Sequence, residues 1–415
     1  LCLFLFLFLL TQKKVVRTTT TQQLRMADTA SASSGSGSNK QRALEYHIIS
    51  GHKFFPNATI PQMTKPTQLF IKVKSAAINP VDYKLPTPLL HGKKVGLDFA
   101  GVVEKKGDGV EGFEVGDRVF GNVEGPFDAS GSLSEYLVAD VKNISKIPDF
   151  LSFNQAASIP VTYLTSYQAF RDHGFNQGDR MLIIGASGGC GTSGIQLAKA
   201  MGSGEIVGIC SGKNKQAVLD LGCDKVVDYT CEDVVDVCGE GSFDFVYDTA
   251  TNSGAGEDYV GKSRQVLRKK GDKRTGEGEG EEKKEGEEKE EGKGKEQEDA
   301  GGMYVAINGS AWSWFRCISG IQEGSREHLL MTNFSGNDLK TITDLMGEHN
   351  FRPVIDSIFP LTEDGVKRAF DRVKSRRAKG KVVIEVESEF DEEKKEEEEG
   401  EKKEEEEKKE EEKKE

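Results

Sequence analysis

Residues 180–199, RMLIIGASGGCGTSGIQLAK, decide the reading of this chain. Met181-Leu182-Ile183-Ile184 is an apolar run of strand length. Gly185, Gly188, Gly189 and Gly191 follow, and they make a turn with no side chains in the way. Ile195, Leu197 and Ala198 then begin the buried face of an amphipathic helix. A strand, a glycine turn and a helix in this order present backbone N–H groups and the positive end of a helix dipole to an anion. In a doubly wound sheet that is where a dinucleotide pyrophosphate sits. The turn residues Ala186, Ser187, Gly188, Gly189, Cys190 and Gly191 are therefore the expected cofactor cradle.

The segments around this stretch alternate strand and helix patterns. EIVGIC, KVVDY, FDFVYDTAT and GGMYVAING read as strands, and KNKQAVLDLG reads as a helix between the first two. That βαβ rhythm predicts a parallel sheet over residues 160–334. Residues 42–159 have a different texture. QLFIKVKSAAIN alternates like a strand, GLDFAGVVEKKGDGVEGFEVGDRVFG reads as strand, turn and strand, and SLSEYLVADVKNISKIP adds further short strands. A last folded segment spans residues 335–386.

The formal net charge of −13 comes from two low-complexity segments. The tail 387–415 holds 18 acids and 8 bases, and the insert 268–300 holds 13 acids and 10 bases. The remainder is neutral, which argues against nucleic acid as a partner. Such Glu/Lys/Gly runs cannot bury enough apolar surface to order themselves, so both segments are expected to be solvated. The seven cysteines include no CxxC pair and suggest free thiols. Cys190 is either a small filler in the turn or an oxidation-sensitive thiol.

Residues 1–41 are expected to be a leader. LCLFLFLFLL is too short to span a bilayer as a helix, and the cations that follow it stand on the wrong side for a secretory signal. The Thr, Ser and Ala richness of residues 15–38 resembles an organelle transit peptide. An alternative start at Met26 fits equally well. The expectation is a cytoplasmic protein, or a plastid or mitochondrial one if the leader is a targeting signal.

The turn ASGGCG, with Gly178-Asp179 before it and Gln196 and Lys199 after it, resembles the quinone oxidoreductase/zeta-crystallin signature of the medium-chain dehydrogenase/reductase superfamily. Residues 42–159 resemble that superfamily's GroES-like barrel domain through GDRVFG, and GKVV matches its C-terminal return. The resemblance implies an α/β fold with a Rossmann-type parallel sheet domain and a GroES-like β-barrel domain. It also implies a homodimer, and it leaves room for peripheral membrane association.

Dinucleotide enzymes that use NAD place an acid at the end of the second strand to bind the ribose 2′-hydroxyl. Here that strand ends in Cys210 and runs into Ser211-Gly212-Lys213. A hydroxyl and a cation suit a 2′-phosphate instead, so the expected cofactor is NADP. A helix-capping role for Lys213 is the alternative. Tyr229 matches a family tyrosine against the same phosphate, and Thr165 matches a family threonine near the nicotinamide. Asp248 and Asn308 end two later strands, where cofactor contact and ordinary turn chemistry are both open.

Zinc-dependent relatives carry Cys and His ligands at two positions where this chain reads Asn79-Pro80-Val81-Asp82 and Gly96-Leu97-Asp98. No metal is expected. NPVDYK matches the zinc-independent quinone and enone reductase branch through Asn79, Asp82 and Lys84. The resemblance implies hydride transfer from NADPH to a quinone or an α,β-unsaturated carbonyl compound. Lys84 is the expected donor to the developing oxyanion, or else orients the nicotinamide ribose. Asn79 is offered as an amide donor and Asp82 as a support for the loop, with a purely structural turn as the alternative for both. Reduction of a 2-enoyl thioester and a nucleotide-binding scaffold with little turnover remain as second and third readings.

Overall fold

The computed structural model describes residues 40–85, 90–125, 130–251, 259–272, 301–320 and 326–386. The leader through residue 39, residues 273–300 of the insert and the tail 387–415 lie outside the described residues. The chain forms two compact units. One is built from 162–333 with 344–351, the other from 39–161, 334–343 and the segment from 352 onward.

In the second of these, β1 (Lys40–His47) and β2 (Gly51–Thr59) form an antiparallel hairpin. The leader therefore ends two residues earlier than expected, because Lys40 and Gln41 already belong to β1 and Gln41 is buried. β3 (Gln68–Ile78) is the hub of a seven-stranded sheet. It pairs with β4 (Asp98–Lys106), which pairs with β5 (Arg118–Asn122). It also pairs with β6 (Tyr136–Asp140), while β7 (Ile144–Lys146) extends the sheet beyond β5. The alternating burial along β3 matches its sequence pattern, one face inward and one outward.

The other unit holds a six-stranded parallel sheet. Its strands are β8 (Met181–Ile184), β9 (Ile206–Cys210), β10 (Lys225–Asp228), β11 (Phe245–Asp248), β12 (Met303–Ala306) and β13 (Glu327–Leu329). Their order is β10-β9-β8-β11-β12-β13, so the winding reverses between β8 and β11. β8, β9 and β11 are buried along their whole length, as strands covered on both faces must be. One continuous core joins Leu182, Ile184, Val207, Val246 and Tyr304.

The chain then returns to the unit of β1–β7 as β14 (Ile355–Pro360) and β15 (Lys381–Glu385). β15 lies antiparallel to β3, with Val382 opposite Ile78. That register sets Lys381 beside the end of β3.

One boundary needs correction. The insert was expected to be solvated from residue 268, but Arg268 is part of the core. Its Nε donates to Asp244 Oδ1 at 2.8 Å, and the two side chains are 2% and 0% exposed. Its amide donates to Phe243 O, and Gly302 donates to its carbonyl, so Arg268 anchors the stem of the insert. Removing one partner of such a pair leaves a buried charge uncompensated. Arg268→Ala is expected to destabilise the protein by about 3–5 kcal/mol in denaturant titration, against little change for the exposed Lys269→Ala. Equal stability of Arg268→Ala and the parent would show that the pair is dispensable.

Candidate active site

The parallel sheet carries its loops to one edge. Gly185 leaves β8 with φ +79°, a conformation that favours glycine. A Cβ at Gly191 would lie 2.2 Å from Gly185 O, so only glycine lets the helix Gly189–Ala200 start this close to the strand. The N-cap is Gly188, so no side chain caps the first amides of that helix. An uncapped helix N-terminus behind a glycine turn fits a pyrophosphate. Thr249 donates through both its amide and Oγ1 to Ile184 O, at 3.0 and 2.7 Å, and ties the exits of β8 and β11 together.

Ala186 needs correction. Its N–H donates to Ile209 O at 3.0 Å and its side chain is fully buried. It forms the floor of the turn, where its amide and methyl are already committed. Ser187 is half-buried and accepts a hydrogen bond from Asn214 Nδ2 at 3.0 Å. Cys190 is half-buried within the turn.

Ser211 and Lys213 follow β9, and Lys213 is exposed. Tyr229 follows β10 and is 48% exposed. Asp228 just before it is an acid the sequence reading did not weigh. Its Oδ1 accepts from Thr230 N and Oγ1 at 3.0 and 2.7 Å. The Thr230 hydroxyl and amide, with further help from the Gly212 amide, hold its pKa below the ordinary carboxylate value. The carboxylate thus braces the Ser211–Lys213 turn. A shallow pocket beside these strand ends is lined by Ile209, Val227, Tyr229 and Tyr259.

Asp248 is bound inward. It is buried, accepts from Ala250 N and Thr251 N at 2.9 Å each, and accepts from Tyr304 OH at 2.7 Å. Of its two open roles the structure supports turn chemistry, and Asp248 leaves the list of cofactor contacts. Thr165 is buried and shares a 2.8 Å hydrogen bond with Thr332 Oγ1. Asn308 is half-buried beyond β12.

The other unit places the NPVDYK residues in two environments. Asn79 precedes the short helix Pro80–Lys84. Its N–H donates to Asp82 Oδ2 at 2.7 Å, and Asp82 N donates back to Asn79 O at 3.0 Å. Asn79 Nδ2 donates to Asp98 Oδ2 at 2.9 Å, and its Oδ1 accepts from Lys381 Nζ at 2.7 Å. Asn79 and Asp82 are both buried. The amide offered as a donor to substrate is therefore committed to the frame, and both residues hold the loop. His52 Nε2–H donates to Asp82 O at 3.0 Å and ties the β1–β2 hairpin to the same turn.

Asp98 and Lys381 were not foreseen as partners. They lie 3.0 Å apart, 0% and 5% exposed. Asp98 Oδ1 also accepts from Asn122 Nδ2 at 2.7 Å and Val161 N at 3.2 Å. A catalytic zinc needs about three protein ligands and an open position. Here Val81 and Leu97 supply no donor at the ligand positions, and Asp98, next to the second, is already neutralised by an ammonium. The residues do not fit a catalytic zinc.

Lys84 is exposed, and no hydrogen bond to its ammonium is found among the described residues. Its pKa is lowered, first by desolvation and then by Arg376. Asp82 has the opposite problem. Burial pushes its carboxyl up to about 7, against hydrogen bonding from Asn79 that lowers it. A carboxyl whose folded pKa is raised favours folding while protonated. Its stabilisation is complete below about pH 4 and is lost as pH rises through about 7, with a slope near 1.4 kcal/mol per pH unit. Asp82→Asn stays neutral and keeps an acceptor for Asn79 N–H. Its melting temperature relative to the parent should therefore climb between pH 5 and pH 8, and a difference that stays flat would mean Asp82 does not titrate there.

Comparison with known proteins agrees with this geometry. The family description "Alcohol dehydrogenase GroES-like domain" matches residues 65–149, and "Zinc-binding dehydrogenase" matches residues 221–384. The chain is 30% identical over 356 residues to the 2-methylene-furan-3-one reductase of Solanum lycopersicum, covering 82% of this chain and 77% of the relative. It is 28% identical over 348 residues to the chloroplastic NADPH-dependent alkenal/one oxidoreductase of Arabidopsis thaliana, covering 80% and 75%. The quinone oxidoreductase structure from Coxiella burnetii superposes with a TM-score of 0.66 at 24% identity, covering 84% of this chain and 99% of that one, which shows a shared fold. Among the described residues no helix is long and apolar enough to cross a membrane. The chain belongs to the medium-chain dehydrogenase/reductase superfamily of nicotinamide-dependent oxidoreductases, in its quinone oxidoreductase-like branch.

Proposed function

We propose that this oxidoreductase uses NADPH to reduce quinones or α,β-unsaturated carbonyl compounds, without zinc. One observation carries the reading. Where a metal would polarise the acceptor, the chain has a buried Asp98–Lys381–Asn79 frame with an exposed ammonium, Lys84, five residues along the loop from Asn79. A conjugated carbonyl is already electrophilic and needs less activation than an alcohol. When bound, NADPH supplies the hydride. Charge then grows on the acceptor oxygen, and a fixed cationic donor lowers that barrier. Lys84 is that donor, and Asn79 and Asp82 fix the loop that bears it. The names of the tomato and Arabidopsis relatives point to the same class of acceptor. Reduction of 2-enoyl thioesters would use the same machinery on a different carbonyl. Homodimers, readable by sedimentation velocity, and peripheral membrane contact, readable by vesicle flotation, go with this reading.

If Lys84 is the donor, Lys84→Ala lowers kcat and kcat/KM together by roughly 10²–10³, with NADPH affinity little changed. A loss confined to NADPH binding would make Lys84 a ribose contact instead.

For the cofactor, exposed Lys213 and half-buried Ser211 stand past the end of β9, and the Asp228 carboxylate at the end of β10 is engaged by Thr230 and the Gly212 amide. The absence of an acid at that strand end supports NADPH over NADH. Lys213→Ala should weaken NADPH binding by about 1–3 kcal/mol, the range for a charge-assisted hydrogen bond. NADH binding should barely move. Equal losses for both dinucleotides in fluorescence titration would remove Lys213 from the 2′-phosphate site.

A further inference from the structure

Lys84 does not stand alone. Tyr83 beside it lies under the ammonium of Lys374, 5.7 Å from the ring centroid. Lys374 closes the helix Glu363–Lys374 and also lies 5.8 Å from the Phe370 ring. Phe370 in turn packs at a tilt against His52, 4.6 Å between ring centroids, and His52 donates to the carbonyl of Asp82. Two residues past the helix, Arg376 is held at φ +56°, in the left-handed region that non-glycine residues seldom occupy. Its charge depresses the pKa of Lys84 and opposes the rise at Tyr83. Lys374 likewise opposes protonation of His52.

Lys374 thus covers the Tyr83 ring, the Arg376 charge acts on Tyr83 and Lys84, and Lys84 follows Tyr83 in the chain. Among the described residues none of them forms a salt bridge. Asp82 is buried beneath the loop with its carboxyl turned to Asn79 N–H, and the acid on the same helix face, Asp371, is a turn away and exposed. The four residues after Leu85, Pro86 to Leu89, include no acid either. Like charges brought together this way repel and weaken the folded state. An anion placed among them would remove that repulsion and gain charge-assisted hydrogen bonds.

We propose that Lys374 and Arg376, beside Lys84, bind an anionic group carried by the acceptor itself, so that the physiological acceptor is an acidic quinone or enone, or a thioester with a phosphate-bearing carrier. This rests on the reductase reading and deepens it. Lys84 faces the reacting oxygen in that reading, and Lys374 and Arg376 set which acceptors are held beside it. A carboxylate or sulfonate on the reacting skeleton and a phosphate at the far end of a thioester share the chemistry, and they differ in reach.

The test compares acceptors in pairs. One pair is a naphthoquinone sulfonate and its uncharged parent. The other is a trans-2-enoyl-CoA and the matching N-acetylcysteamine thioester. The variant is Lys374→Met with Arg376→Gly. Methionine keeps an apolar stem against Tyr83 and Phe370, and glycine accepts the positive φ. The expected result is that the ratio of kcat/KM for the charged acceptor to that for its neutral partner falls about tenfold in the double variant. A fall for the sulfonate pair assigns the anion to the reacting skeleton, and a fall for the CoA pair assigns it to the carrier. The parent's ratio should also fall with added salt.

Unchanged ratios in both pairs overturn the proposal. So does a loss that appears only as weaker NADPH binding, since the cluster would then serve the cofactor. If no acceptor is reduced at all, the reductase reading fails and a separate measurement decides the anion site. With NADPH saturating, inorganic pyrophosphate should raise the melting temperature of the parent and not of the double variant. Equal behaviour of the two proteins would overturn the site.

Discussion

The buried ion pair of Asp98 and Lys381 is the constraint on which the GroES-like unit depends. Two charges removed from water are tolerated only when every hydrogen-bonding position finds a partner. Lys381 has three N–H bonds, and they reach Ile78 O, Asn79 Oδ1 and Asp98 Oδ2. The Asp98 carboxylate accepts from Lys381, Asn79, Asn122 and Val161. The set satisfies both charged groups, with Asn122 Oδ1 left unpartnered at its edge. It can do so only if β15 has come back beside β3 in one register, with β4 and β5 in theirs. A one-residue slip of β15 would turn Lys381 away and strand Asp98. The pair thus specifies register more than it adds stability, and it fixes Asn79, the first residue of the loop that carries Lys84.

The parallel-sheet unit depends on a steric constraint instead. Gly191 lies against Gly185 O, and Ala186 packs on the same helix start. A side chain at Gly191 would push the helix off the strand and pull its amides out of line. Glycine at this point is needed for the approach of two backbones, and the open N-terminus is the consequence. The same logic explains why Ala186 fails as a ligand contact. Its amide bonds Ile209 O, which joins the turn to β9.

Most of the architecture was legible because it rests on local pattern. The apolar runs at Met181–Ile184 and Ile206–Cys210 became strands of the expected length, and the glycine turn became the helix start. What stayed hidden were the long-range polar pairs. Arg268 looked like the first residue of a charged insert, because its neighbours are Lys269 and Lys270. Only its position at the end of a helix packed on the sheet brings it to Asp244. Lys381 looked like an ordinary charge at the start of a strand. A basic residue leading an apolar run was the available signal, but its partner lies 283 positions earlier in the chain. Asp248 went the other way from the cofactor contact weighed for it, and Asp82 is bound as the loop support offered for it. Each is an acid at a strand end or loop, where ligand contact and backbone capping look alike in sequence. Each proved to be bound inward, to amides within three residues.

Coordination separates the two lysines of this unit that matter to chemistry. Lys381 is the more buried, and with all three of its donors engaged it cannot move without breaking the frame. Lys84 is exposed and opposed by the charge of Arg376 rather than matched by an acid. Its charge is left for something outside the fold. A zinc ion would need ligands that the frame has replaced with its own salt bridge. The frame therefore trades a metal for a fixed loop, and the loop presents a cation whose natural complement is the negative charge that appears on an acceptor as it is reduced.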